Sequence, residues 1–567
     1  MPNKRKRKLC LDWVHKGDII ISKFNENGKM YPASYFKGQV TEDELMPRDL
    51  NLKESVGELD SENMLILGEN LITLSSLEKE FAGKIKLIYI DPPFNTGQDY
   101  DEYEDGIEHS IWLSIMENRL RILERLLSNE GAIFIEIDQA EEARLKLLMD
   151  EIFGPENYIT TISIKRSAAT GHKAINPGMV NVSEYIQVYA KKKQSWKYKR
   201  SFVLRGKYDT QYSKYIANKN KDYNSWQFVN LADIVAKHLK FESAKEARKE
   251  MGKQAFFQKY VDFAINNADS VIRFAIPNYE GVSKKARELI DKSKEVTKVF
   301  RLKRDAYPDM YFYKGDRILF LADKIKKVDG TSGLVEPLTN FWSDISWQGI
   351  ASEGNVVLKK GKKPERLIKR IIELCDLRKD DYILDIYAGS GTTGAVAHKL
   401  GIKWIMVELR AKMVKEKALI RMKNVINGDQ TGISKEVGWK GGGGFKYYEL
   451  GDPLVMGHKH YPSIKIINPK YYNTALIKVI CKIEGFKYRK GDEIFHGVNK
   501  LGNKYAHVTE QYVSQSYVDL LKVKLAESEE MIVYCFNYDE KVDLPSNIII
   551  KKLPADLGKA YQLRLKL

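Results

Sequence analysis

Two separate parts of the chain alternate short apolar runs with stretches of three- and four-residue apolar spacing. In the first, the run from Lys86 through Leu-Ile-Tyr-Ile90 ends at Asp91, as a parallel strand buried on both faces would. Apolar positions spaced as on a helix follow from Ile111 to Leu127. The strand Ala132–Ile137, a helix over about 141–152 and the strand Tyr185–Tyr189 come next. In the second part a helix over about 364–375 leads to the strand Tyr382–Ile386, the loop Tyr387–Thr392, a helix to about Leu400 and the strand Lys403–Val407. Strands alternating with helices predict a doubly wound, largely parallel sheet.

Between these parts, over 191–355, the pattern changes: Lys, Arg and Tyr are dense, sheet periodicity is poor, and 233–260 reads as helical. Beyond Asp429 the chain loosens through Gly441–Gly444, then alternates again in Phe445–Leu450 and Met531–Cys535, as in a small α/β tail. With 567 residues, too many for one core, the expected division is an extension (1–60), one half of an α/β domain (61–190), an insertion (191–355), the second half (356–440) and a C-terminal domain (441–567).

Charge narrows the partner class. The net charge of +17 favours a polyanion such as nucleic acid. The Lys4–Lys8 run reads as a solvated terminus, with a nuclear address or a phosphate-binding arm as the alternatives. Cys10, Cys375, Cys481 and Cys535 form no CxxC pair, so no zinc site or disulfide framework is expected, and a reducing, cytoplasmic setting fits. No apolar run approaches the ~20 residues that span a bilayer, and no membrane association is expected.

Two motifs carry chemistry. Gly389-Ser390-Gly391 follows a strand and precedes a helix, so small residues let a ligand approach the backbone and a helix N-terminus. Asp385 closes the preceding strand, and Glu408 closes the next, where a carboxylate accepts hydrogen bonds from ribose hydroxyls. A third glycine and a Walker lysine are both missing, which favours a nucleoside ligand without pyrophosphate, such as S-adenosylmethionine. The second motif, Asp91-Pro92-Pro93-Phe94-Asn95-Thr96-Gly97, ends a buried strand. Consecutive prolines stiffen the backbone and remove two N–H donors. The Asp91 carboxylate and Pro92 carbonyl can accept an NH2 group's hydrogens while Phe94 stacks on the attached ring.

Asp-Pro-Pro-Phe-Asn-Thr-Gly with the later Asp385-Ile-Tyr-Ala-Gly-Ser-Gly-Thr-Thr393 resembles the amino-methyltransferases of DNA, in the motif order of their beta group. Leu65–Asn70, Trp112–Met116, Arg119-Leu120, Ser183–Ile186 and Lys363–Leu367 extend the resemblance over about residues 60–450. The Gly-rich segment and tail resemble the modification subunit of a type III restriction–modification system. The resemblance implies a Rossmann-like S-adenosylmethionine-dependent methyltransferase sheet with an inserted target-recognition domain and a small C-terminal α/β domain. It implies that Asp91, Pro92, Pro93 and Phe94 hold the target amine and that Tyr185 contacts the flipped base. Asp385, Ala388, Gly389, Ser390, Gly391 and Glu408 would line S-adenosyl-L-methionine, with Lys363 and Pro364 near its methionine part. The implied partners are double-stranded DNA, a second copy of the chain and a helicase–endonuclease restriction subunit. Asp at position 91 points to adenine N6. Cytosine N4, an enzyme without a restriction partner, RNA as substrate, an inactive DNA-recognition subunit and a nicotinamide-linked oxidoreductase stand as alternatives.

Overall fold

The computed structural model describes residues 11–26, 28–46, 48–95, 107–167, 178–305, 307–328, 330–358, 361–461 and 463–557. The basic Lys4–Lys8 run, Cys10 and the Thr96-Gly97 end of the Asp-Pro-Pro motif lie outside them. The chain divides into two compact units, residues 1–199 with 339–567, and residues 200–338.

The first unit is built on a ten-stranded sheet. Preceding it is a hairpin of β1 (Ile20–Phe24) and β2 (Met30–Ser34). The sheet's strands are β3 (Arg48–Gly57), β4 (Met64–Leu67), β5 (Ile85–Ile90), β6 (Leu127–Ile137), β7 (Tyr158–Lys165) and β8 (Ser183–Ala190). Beyond the insertion come β9 (Phe341–Trp342), β10 (Tyr382–Asp385), β11 (Lys403–Glu408) and β12 (Gly444–Pro453). Their spatial order is β9-β7-β8-β6-β5-β10-β11-β4-β12-β3. Every neighbouring pair from β6 to β12 is parallel. Burial explains the apolar runs: Ile85, Leu87, Ile88 and Ile90 of β5 are all fully buried.

Helices α1 (Asn70–Phe81), α2 (His109–Leu126) and α3 (Glu142–Phe153) pack together as one layer. A second layer contains α4 (Glu365–Leu374), α5 (Thr392–Lys399) and α6 (Leu419–Ile426). The connection from β5 through α2 steps one way across the sheet, and that from β10 through α5 steps the other. Right-handed crossovers in opposite directions place their helices on opposite faces. Between the C-terminal ends of the adjacent strands β5 and β10 a crevice therefore opens, the place where doubly wound sheets bind ligands.

Two parts of this sheet depart from the expected layout. Residues 48–57 are its edge strand rather than an extension beside it, and Phe445–Leu450 belongs to β12, paired with β3 and β4, rather than to a tail domain. The tail proper is a five-stranded sheet, Lys487–Tyr488, Gly497–Val498, Lys504–Thr509, Glu530–Cys535 and Ile548–Lys552, with helices Thr474–Ile483 and Gln515–Lys524. Cys375, Cys481 and Cys535 are buried free thiols. Among the described residues no helix is long and apolar enough to cross a membrane.

In the second unit a six-stranded antiparallel sheet appears where little sheet was expected. Its strands have only three to five residues, such as Phe228–Asn230 and Val271–Ala275, too short to show an alternation. The helical stretch 233–260 is divided among Leu231–His238, Ala244–Glu250 and Lys253–Asn266. Ser243 caps the second of these through its side chain, and Gly252 enters the third at φ 86°. This unit holds 28 Lys and Arg against 18 Asp and Glu, so about a quarter of the chain carries +10 of its +17.

Candidate active site

Asp91 follows β5 directly and Gly389–Gly391 follows β10, so two motifs almost 300 residues apart meet at one crevice. Register pairs Ile88 with Leu384, which puts the two strand ends side by side.

The proline turn is held from several directions. The Trp112 indole on α2 donates to the Pro93 carbonyl at 2.9 Å. Asn95 adopts φ 57°, and its amide donates to Glu141 at 2.6 Å. His109 is 2.5 Å from the same Glu141 oxygen. These contacts come from α2 and the start of α3, so the turn's shape is fixed by the helix layer beneath it.

On the other side of the crevice, Asp385 accepts the Tyr387 N–H at 2.9 Å and the Thr393 hydroxyl at 2.6 Å. Burial pushes its carboxyl up to about 7, against those two hydrogen bonds, with Asp91 and Glu408 adding to the rise. Glu408 accepts the N–H of Gly389 at 2.9 Å and that of Arg410 at 3.0 Å, tying the glycine loop to the end of β11. Gly391 has φ 80°, a left-handed conformation that turns the loop into α5. From behind, Arg421 donates to Thr392 at 2.7 Å and to Ser390 at 3.4 Å. Ala388 sits in the same loop, its N–H bonded to Val407 of β11. Pro93, Trp112, Ile386, Tyr387 and Glu408 line one recess. Met30 and Pro32 of the N-terminal hairpin also line it, a contribution that no sequence motif signals.

Lys363 lies on the Asp91 side of the crevice. Its ammonium is 3.1 Å from Asp91, 2.8 Å from Glu136 and 3.5 Å from Glu184, and 4.7 Å from the Phe94 ring centroid. Pro364 caps α4 immediately after it. The Tyr89 hydroxyl donates to Glu136 at 2.5 Å, and Arg166 pairs with Glu184. Burial, opposed by Lys363 and reinforced by Asp91 and Glu184, raises the Glu136 carboxyl to about 8. Burial also opposes ionisation of Glu184, but Lys363, a hydrogen bond from Glu136 and Arg166 outweigh it and lower that carboxyl. Three carboxyl groups thus share two cations.

Strand alternation decides what β8 contributes. Tyr185 pairs across with Ile137 and packs with the α3-side core, whereas Glu184 faces the opposite way and reaches Lys363. Glu136 went unread in the sequence because it sits between Ile135 and Ile137, where alternation ordinarily marks a solvent face, and Glu184 because it follows Ser183 at the start of β8.

A family model described as DNA methylase matches residues 85–419, well over half of the chain and both motifs. The chain belongs to this DNA methylase family. It is 29% identical over 533 residues to the "Probable type III restriction-modification enzyme HindVI Mod subunit" of Haemophilus influenzae, covering 86% of this chain and 68% of that protein. Over 442 residues it is 26% identical to the type III restriction-modification enzyme EcoPI Mod subunit of Escherichia phage P1, covering 68% of this chain and 63% of that one. The chain therefore spans about two thirds of these relatives' length. Among solved structures, the PvuII DNA methyltransferase (cytosine-N4-specific) is 12% identical, covering 67% of this chain and 92% of that one at a TM-score of 0.33. Nothing further rests on so distant a likeness.

Proposed function

We propose that this chain transfers a methyl group from S-adenosyl-L-methionine to adenine N6 within a short sequence of double-stranded DNA, as the modification subunit of a type III restriction–modification system. The observation that carries this reading is the meeting of the Asp91 turn and the glycine loop at the crevice between β5 and β10. Relatives that carry the Mod designation along most of this chain support the type III role.

The recess is lined by aromatic side chains, Trp112 and Tyr387, and by a carboxylate, Glu408, groups that suit a nucleoside. Asp385, Ala388, Gly389, Ser390, Gly391 and Glu408 would hold S-adenosyl-L-methionine, with Pro364 near its methionine end. When bound, it supplies an electrophilic methyl group on a sulfonium centre. The chain's own residues then orient the acceptor. The Asp91 carboxylate and Pro92 carbonyl accept the two amino hydrogens, which aims the nitrogen lone pair into the crevice, and Phe94 supports the ring. Pro93, held through its carbonyl by Trp112, keeps the two acceptors in fixed relation. The adenine must leave the helix stack to arrive there, at a cost of a few kcal/mol.

Residues 200–338, the core of the insertion expected at 191–355, serve in this reading as the target-recognition domain. Its excess of Lys and Arg binds phosphates, and polar side chains in the groove choose the site. The assembly is a homodimer that works with a restriction subunit. Single-molecule sequencing of DNA from cells expressing the chain tests the whole reading. N6-methyladenine at one short sequence is expected; N4-methylcytosine, or no modification, overturns it.

The cofactor half is tested separately through Glu408. Its carboxylate accepts from ribose hydroxyls and ties down the Gly389 backbone. A charged hydrogen-bonding group of this kind contributes about 1.5–3 kcal/mol. Glu408→Ala is therefore expected to weaken S-adenosyl-L-methionine binding by about 10- to 100-fold in titration calorimetry. An unchanged Kd would remove Glu408 from the cofactor site.

A further inference from the structure

Lys363 donates hydrogen bonds to Glu136 at 2.8 Å and to Glu184 at 3.5 Å. It also stands 3.1 Å from Asp91 Oδ1. That oxygen is buried and accepts no hydrogen bond among the described residues. The ammonium thus faces Asp91 on its buried side while donating to Glu136 and Glu184, and the Asp91 side chain remains 22% exposed elsewhere. We propose that Lys363 is a positioning residue for methyl transfer, holding Asp91 from its buried Oδ1 side so that the carboxylate stays ionised and aligned for the target amine. This rests on the reading of Asp91 as the amine's acceptor.

The surroundings fit that task. The Lys363 side chain is only 7% exposed and is anchored beside Pro364, where α4 begins. Lys362 cannot substitute for it, because its ammonium is bonded to the carbonyls of Ala351, Glu353 and Val356. Among the described residues, the charged groups facing the ammonium belong to a strand or the turn after one: Asp91 after β5, Glu136 on β6, and Glu184 on β8 with Arg166 on its far side. Tyr89 adds a hydroxyl that donates to Glu136. Burial already pushes the Asp91 carboxyl upward, and Lys363 is the largest opposing influence. Without the cation, the neighbouring carboxyls, Asp91 among them, would take up protons more readily. A protonated Asp91 presents one acceptor fewer to an NH2 group.

The test is Lys363→Met in the full chain, with tritium transfer to unmodified genomic DNA followed across pH and S-adenosyl-L-methionine affinity measured by calorimetry. Transfer at neutral pH should fall about tenfold or more, and its acidic limb should move up by about one pH unit or more, the shift expected when a carboxylate loses an adjacent cation. Cofactor affinity should change by less than about threefold, well under the tenfold that one pKa unit represents. Because the variant leaves three buried carboxyls together, Lys363→Met/Glu136→Gln provides a second form with one fewer titratable carboxyl, and its acidic limb should also be raised. Two results overturn the proposal: an unmoved limb in both variants, or cofactor affinity lost with turnover and pH profile intact, which would place Lys363 at the cofactor instead. Asp91→Ala is run in parallel. If it still transfers methyl groups, the amine-acceptor reading falls and this proposal with it. If it is silent while the Lys363 variants keep the native profile, the positioning role alone fails.

Discussion

Asp91→Ala is expected to lower methyl transfer by about 10²–10³-fold, the usual cost of deleting a preorganised group aimed at developing charge. Cofactor binding and folding should be largely spared, because the charge around Asp91 can rebalance. Asp91 is one of the groups that raise the Glu136 carboxyl. With Asp91 gone, Glu136 ionises more readily, and Glu136 and Glu184 together still match Lys363 and Arg166. The glycine loop is tied to Glu408, Val407 and Arg421, none of which touches Asp91 through a hydrogen bond. The loss should therefore fall on kcat rather than on the Kd for S-adenosyl-L-methionine. Single-turnover tritium transfer beside calorimetry separates the two, and turnover within tenfold of the unaltered chain would sink the assignment.

What was legible in the sequence follows burial. Strands β5, β10 and β11 lie within a residue or two of their expected ends, because strands covered on both faces need continuous apolar runs. Strand β3 gave no such signal, since much of it is exposed at the sheet edge and only Leu50 is buried. The Gly441–Gly444 run reads as a linker but is a close-packed turn. Gly441, Gly442 and Gly443 all have positive φ, and a Cβ on Gly444 would lie 2.4 Å from the Glu58 backbone nitrogen. That turn delivers β12 into the main sheet. The candidate site divides in the same way. Its motifs are contiguous and visible, whereas Glu136, Glu184 and the hairpin residues Met30 and Pro32 reach the crevice only through folding.

The helix layer behind the glycine loop makes the second large prediction. Glu365 on α4 is fully buried and accepts from Lys399 on α5 at 2.9 Å, from Arg421 on α6 at 2.8 Å and from the Ile433 N–H at 3.0 Å. Lys399 has a second carboxylate, Asp429, at 3.4 Å, and both cations are also without side-chain exposure. Glu365→Ala would leave two buried cations facing one carboxylate. Breaking a buried pair in this way costs about 3–5 kcal/mol, far more than the intact pair contributes over an apolar replacement. Denaturant unfolding should show that loss, and Glu365→Leu with Lys399→Met should recover part of it, because the double change removes one charge of each sign. Burial pushes the Glu365 carboxyl up, but Arg421 and Lys399 prevail and hold it below its ordinary value. A group whose folded pKa is lowered adds stability that is complete above its unfolded pKa, about 4.3, and fades as pH falls through the folded one. The gap between the unaltered chain and Glu365→Ala should therefore narrow on acidification below about pH 4. A gap that stays constant down to the acid limit would mean that Glu365 acts by packing rather than by charge. Because Arg421 also holds Thr392 and Ser390, Glu365→Ala should loosen the glycine loop as well, and under the proposed function this would couple the stability of this layer to cofactor affinity.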